Sequence, residues 1–287
     1  MMDASVERAF IRIREGQIHL RRIVNPAATQ PPVFLLHASP TSSRWLESLT
    51  VEIARSGRTV IAPDTLGNGD SPAPAIPSPD IAYFADSVLR LADAMDIGAF
   101  DVYGTHTGAR TACELAVMAG GAEGSGRVRH AVLDGIKQYD DATRAAVLEH
   151  YAPRKEPDEH GAHLVWAFHF VRDQALYFPH FMRDPEHRLP GHMPSNRVLH
   201  DAALDVLKAL DTYALPYLAA FRYRPLERLP LIHCPVLLLK AQGELAALNA
   251  AIDEAAGLLR HGSVAPVASD PAAKARAIVA FLDGDHP

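Results

Sequence analysis

Cysteine is scarce: Cys113 and Cys234 stand far apart in apolar stretches, without Cys-x-x-Cys spacing. That scarcity excludes a disulfide framework, and both thiols are expected in the core. Long apolar runs are missing too, since no stretch approaches the ~18 residues of a membrane span. Met1 to Arg14 mixes charged and apolar side chains where a signal peptide would be continuously apolar. A cytoplasmic protein is the expectation. Nor is there a long basic run. With 28 Lys+Arg against 34 Asp+Glu the net charge is −6, which repels phosphate backbones and anionic lipids, so neither nucleic acid nor a membrane is an expected partner. Internal repeats and low-complexity segments are also absent from the sequence.

What is present is the composition of an ordinary globular protein, 48% apolar and 22% charged over 287 residues, enough for one large core. Val6 to Val24 alternates apolar and polar residues around Glu15-Gly16, the pattern of an antiparallel hairpin. Short apolar runs at Pro32–Leu36, Thr59–Ala62, Phe100–Tyr103 and Val128–Leu133 then alternate with helical stretches at Ser42–Ser56, Ile81–Met95 and Thr107–Ala119. Strand and helix in alternation predict an α/β fold, a mostly parallel central sheet with helices on both faces. The rhythm stops after Asp134 and resumes at Pro235–Leu239, followed by a helix over Leu245–Leu259, a weak strand over Ser263–Val267 and a last helix capped by Asp270 with Pro271 at its first position. Residues 1–136 and 230–287 are therefore expected to form the core domain, and 137–229 an inserted helical lid.

In a parallel sheet, reactive groups gather in the loops at the carboxyl ends of the strands. Four such loops stand out: His37-Ala38-Ser39-Pro40-Thr41-Ser42-Ser43; Asp64-Thr65-Leu66-Gly67-Asn68-Gly69-Asp70-Ser71; Gly104-Thr105-His106-Thr107-Gly108; and Gln242-Gly243-Glu244. The third is a strand-to-helix turn whose flanking glycines permit a sharp bend that pushes its middle side chain into a cavity.

The order and spacing of these loops resemble the α/β-hydrolase family, in particular its haloalkane dehalogenase and epoxide hydrolase branch, over nearly the whole chain. Leu35–Ser43 resembles the family's oxyanion loop with Ala38 in place of a glycine, Ala62–Ser71 its following turn, and Gly104–Gly108 its nucleophile elbow. The resemblance implies an α/β-hydrolase fold and, at the elbow, a Ser, Asp or Cys nucleophile. Here that residue is His106. The acid of the late loop falls on Ala246, leaving Glu244 nearby, and the family's catalytic histidine falls on Ser263 or Val264, with His261 slightly early. The usual serine-histidine-acid triad is thus expected to be absent. The resemblance also places the backbone N–H groups of Ser39 and Thr107 where an oxyanion would be stabilised, gives His37 a loop-tying role, and makes Asp134 a possible alternative acid or orienting group.

An imidazole ordinarily titrates near ~6.5, which suits a general base, so His106 is the candidate catalytic residue. In the lid, His160 and His163 share a helical face and Trp166, Phe168 and Phe170 lie close by in sequence; contact with His106 would create an acid-base pair or a three-histidine metal site, although a solvated histidine face and aromatic packing are the plainer expectation. Arg44 and Arg110 are read as solvated or ion-paired, with carboxylate binding the alternative, and Asp64 and Asp70 as turn-holding groups. These residues lead to an enzyme, hydrolase or lyase-like, acting on a small organic molecule without a cofactor or metal. Its rivals are a non-catalytic binding protein that has kept the cavity, and a metal-dependent hydrolase built on His106 and the lid histidines. Whether the chain forms a homo-oligomer is open.

Overall fold

The computed structural model describes residues 5–122, 126–242 and 246–284. Strands β1 (Glu7–Ile13) and β2 (Gly16–Ile23) form the expected hairpin, in register from Glu7 opposite Arg22 to Ile13 opposite Gly16. Then follow β3 (Val33–Leu36), a 3₁₀ turn over Ser43–Leu46, α1 (Glu47–Ala54), β4 (Val60–Pro63), α2 (Ile81–Ala94), β5 (Phe100–Thr105), α3 (Thr107–Ala119) and β6 (Val128–Asp134). Between β6 and β7 (Val236–Ala241) lie α4 (Asp141–His150), α5 (Ala162–Leu176), α6 (Asn196–Lys208), α7 (Ala214–Arg222) and α8 (Pro225–Arg228). The chain closes with α9 (Ala246–Leu258), β8 (Gly262–Val267) and α10 (Pro271–Leu282). Asp270 accepts the N–H of Ala273 at 2.8 Å, the N-cap expected from the Asp-Pro pair.

The eight strands run in the order β1-β2-β4-β3-β5-β6-β7-β8, antiparallel from β1 through β4 on one edge and parallel across the rest. The central strands read as unbroken apolar runs because both of their faces are covered. On β7, Val236 and Leu238 join one core with residues of α2, α3 and α9, while Leu237 and Leu239 join a second with residues of α1 and α10. Successive side chains of a strand point to opposite faces, so one run feeds two cores. The helical segment after β6 carries a third cluster, built on Val147, Phe170, Val206, Tyr213 and Tyr217. Among the described residues, no helix is long and apolar enough to cross a membrane.

Candidate functional site

The turn from β5 into α3 sits at the carboxyl end of the sheet. His106 adopts φ 49° and ψ −106°, a backbone state that side-chain-bearing residues rarely enter and that persists where neighbours over-determine it. Those neighbours are backbone. A Cβ on Gly104 would collide with the carbonyl of Gly108, and one on Gly108 with the carbonyls of Leu36 and His37. The His106 N–H donates to the Asp134 carbonyl at 2.8 Å, tying the turn to β6. Gly135, with φ +79°, gives the imidazole its room, since a Cβ there would stand 3.0 Å from His106 Nδ1.

Above this turn opens a cavity of about 270 Å³. Its floor is Ala38, Ser39, His106, Thr107 and Arg110; its walls are Tyr139, Tyr151, Gln174, Phe178, Leu189, Tyr217, Ala220 and Phe221. Thr107 opens α3, so its N–H is one of the four that a helix leaves without an internal partner. Ser39 Oγ is buried with no hydrogen-bond partner among the described residues. A second cavity of about 270 Å³ is bordered by His37, Tyr103, Thr105, Ser269 and Lys274.

His37 is buried and joins two loops: its Nδ1 donates to the Ala38 carbonyl at 2.8 Å and its Nε2 accepts the Thr65 N–H at 2.9 Å. Burial pushes its pKa below the ordinary imidazole value. Asp64 holds the next loop. Burial alone would raise its pKa, but the His19 ring at 2.8 Å, nearby His37, and the N–H groups of Ser43 at 2.7 Å and Asp70 at 2.9 Å hold it well below the usual carboxylate range. His19, Asp64 and Asp70 are also the group of potential ligand atoms close enough to hold a metal among the described residues. Cations of the protein already serve that group: Arg8 donates to His19 Nε2 and pairs with Asp70, and Lys208 pairs with Asp70 at 2.7 Å.

Asp134 is buried beside the turn, and its Oδ2 accepts the Tyr103 hydroxyl at 2.7 Å and Lys274 Nζ at 2.6 Å. Lys274 went unnoticed in the sequence; a lysine in the first turn of α10, where the helix dipole disfavours a cation, is the signal that it has a special partner. Several sequence expectations need correcting. Neither His160 nor His163 lines the cavity over the turn. His160 is largely exposed beside Glu159, and His163 is held by Asp158 at the start of α5. Trp166 stacks on Phe170 with ring centroids 5.0 Å apart and is likewise outside the lining. The metal centre imagined from His106 and these histidines is therefore not assembled. Ser263 and Val264 lie inside β8 and His261 at its amino end, because the strand runs on to Val267; the loop that follows it is Ala268-Ser269-Asp270. Glu244 lies outside the described residues. Arg44 is ion-paired as expected, with Asp201 at 3.2 Å, whereas Arg110 is neither solvated nor exposed.

Residues 31–267 match the family model for the alpha/beta hydrolase fold. The chain belongs to the alpha/beta hydrolase fold family. Among solved structures, this alpha/beta hydrolase is similar to epoxide hydrolase A from Mycobacterium thermoresistibile, with 17% identity, TM-score 0.71, and 98% of this chain and 99% of that one covered. It is also similar to a bromoperoxidase from Bacillus anthracis (16%, 0.70, 96% and 100%) and to the enol-lactonase from Burkholderia xenovorans LB400 (19%, 0.66, 96% and 98%). At these identities the likeness speaks for the fold, and the chemistry has to be argued from the site.

Proposed function

We propose that this alpha/beta hydrolase is an enzyme, a hydrolase or a lyase, that turns over a small organic molecule in the cavity between the sheet and the helical segment 137–229, which acts as its lid. His106 serves as general base in the position of the elbow nucleophile, acting on a water or on an acidic C–H or O–H of the substrate. The amides of Ser39 and Thr107 stabilise the negative charge that develops. The observation that carries this reading is the strained backbone of His106 at the cavity floor. Glycines are spent on both sides of it and at Gly135 to hold one ring in one place, and strain of this kind clusters at functional sites. A second reading, a cavity that binds without turnover, draws on the sequence: the elbow position carries no hydroxyl, thiol or carboxylate nucleophile.

A turnover screen separates the two. Wild type, His106→Ala and the shape-keeping His106→Gln are offered esters, epoxides, haloalkanes and carbon acids, with and without chelator. Activity in the wild type that falls by about 100-fold or more in both variants, and is indifferent to chelator, is the expected result. Activity that survives both variants removes His106 from the mechanism. If no substrate turns over and all three proteins bind ligands alike, the binding reading replaces the catalytic one.

A further inference from the structure

The cavity has an electrical character opposite to that of the chain. The protein carries a net charge of −6, yet the described residues lining the cavity include Arg110 and no carboxylate. Arg110 is 4% exposed. Its Nη1 donates to the His106 carbonyl at 3.2 Å and its Nη2 to the Lys137 carbonyl at 2.8 Å, while the Tyr139 ring lies 5.8 Å from its central carbon. A guanidinium has five N–H donors, so these two bonds leave capacity unused, and Nε is buried without a partner among the described residues. The neighbouring carboxylates are spent elsewhere. Glu114, one turn further along α3, accepts from Arg228 and from the Tyr223 hydroxyl at 2.9 Å. Asp134 is held by Lys274 and Tyr103. A second cation stands close, since Lys137 Nζ lies 5.4 Å from the Tyr139 ring centre.

Burying a guanidinium without a counter-ion is strongly unfavourable, and a bound anion would supply what the protein leaves out. We propose that the ligand of this cavity is a small monocarboxylic acid, its carboxylate recognised by Arg110 and its apolar part packed against Phe178, Tyr217 and Phe221. The proposal rests on the reading of this cavity as the reaction site and names the substrate class. The planar fork of an arginine suits a carboxylate; Lys137 is not among the lining residues, and one lining cation among aromatic walls suits one negative charge better than the two of a phosphate group. The second orphaned polar atom of the floor, Ser39 Oγ, is a further donor for such a ligand.

Calorimetric titration with phenylacetate, its neutral isostere phenylacetamide, and phenylphosphonate tests the assignment. The wild type is expected to bind phenylacetate at least about tenfold more tightly than phenylacetamide, a preference of the size that one charge-assisted contact gives. Arg110→Gln loses that tenfold and keeps its affinity for phenylacetamide. Equal binding of the acid and the amide by the wild type overturns the proposal whether or not the variant folds, as does a preference that survives in folded Arg110→Gln or tighter binding of the phosphonate. Turnover measured on the same preparations keeps the two readings apart. Catalysis of neutral substrates with no preference for the acid leaves His106 in its role and removes Arg110; preference for the acid without turnover supports Arg110 and removes catalysis.

Discussion

The carboxyl end of the sheet and the helices above it build the two halves of one cavity by different means. At the sheet end, position is set by backbone against backbone: the turn at His106 is wedged between the ends of β3, β5 and β6, with glycines where a Cβ would collide. The helical half is set by side chain against side chain, with Tyr151 packed edge-on to His180, Tyr217 and Phe221 at centroid distances of 4.7 to 5.0 Å. It is fastened to the core by polar contacts: Asp205 accepts from Trp45 Nε1 at 2.7 Å and from Ser42, Asp201 pairs with Arg44, and Thr212 donates to the Gly67 carbonyl at 2.6 Å. Backbone contacts fix one geometry, whereas aromatic walls can be repacked. Under the proposed function, the difference separates where the reaction happens from what is admitted to it.

The sharpest test of that contrast is Gly108→Ala. The new Cβ meets the carbonyls of Leu36 and His37, neither of which can rotate away, so a loss of about 3 kcal/mol or more is expected in urea unfolding. Stability close to that of the wild type would mean that the sheet end is as adaptable as the helices. Asp64→Asn comes next. Removing the charge that gathers His19, Ser43 and Asp70 should cost about 2 to 3 kcal/mol at pH 7. Because the folded protein depresses the Asp64 pKa, the charge stabilises the fold fully above the ordinary carboxylate value of about 4 and loses that contribution as the pH falls further. The gap between wild type and variant should therefore narrow from pH 7 to pH 3, and a constant gap would refute the assignment.

The smallest effect belongs to the helical half. Asp205 has the opposite shift, upward, because burial outweighs the help of Trp45, Arg44, His37 and Ser42. A carboxyl group with a raised pKa favours the folded state below its ordinary pKa and loses that contribution as the pH rises through the folded value. Docking of α6 should thus tighten as the pH falls from 7 toward the ordinary carboxylate value of about 4 in the wild type and be independent of pH in Asp205→Asn, at a change of roughly 1 kcal/mol or less. Trp45 fluorescence in a Trp166→Phe background reports it, and an unaltered pH response in Asp205→Asn would remove Asp205 from the fastening.

The fold was legible because alternation of short apolar runs with amphipathic stretches is local, as are caps such as Asp270-Pro271. The turn at His106 was legible for the same reason, its glycines lying within two residues of the ring. Arg110 was not. Helical spacing says which residues share a face but not what covers that face, and Arg110 is enclosed by Lys137 and Tyr139 from the stretch after β6. Asp134 and Lys274 are 140 positions apart, and nothing in either neighbourhood announces the other. The resemblance put a histidine position at Ser263 or Val264, residues already expected in a weak strand; they lie in β8, and the loop at its carboxyl end is Ala268-Ser269-Asp270.

The sequence by itself determined the order of strands and helices, the glycine-flanked turn with a histidine at its centre, and the absence there of a hydroxyl, thiol or carboxylate, because each of these is written within a few consecutive residues. The tertiary structure alone decided which side chains enclose the cavity, that Asp134 is bound to Lys274, and that buried Arg110 lies in a cavity lining that holds no carboxylate among the described residues. Those outcomes depend on which distant segments meet at the end of the sheet, and burial and charge pairing are properties of that meeting.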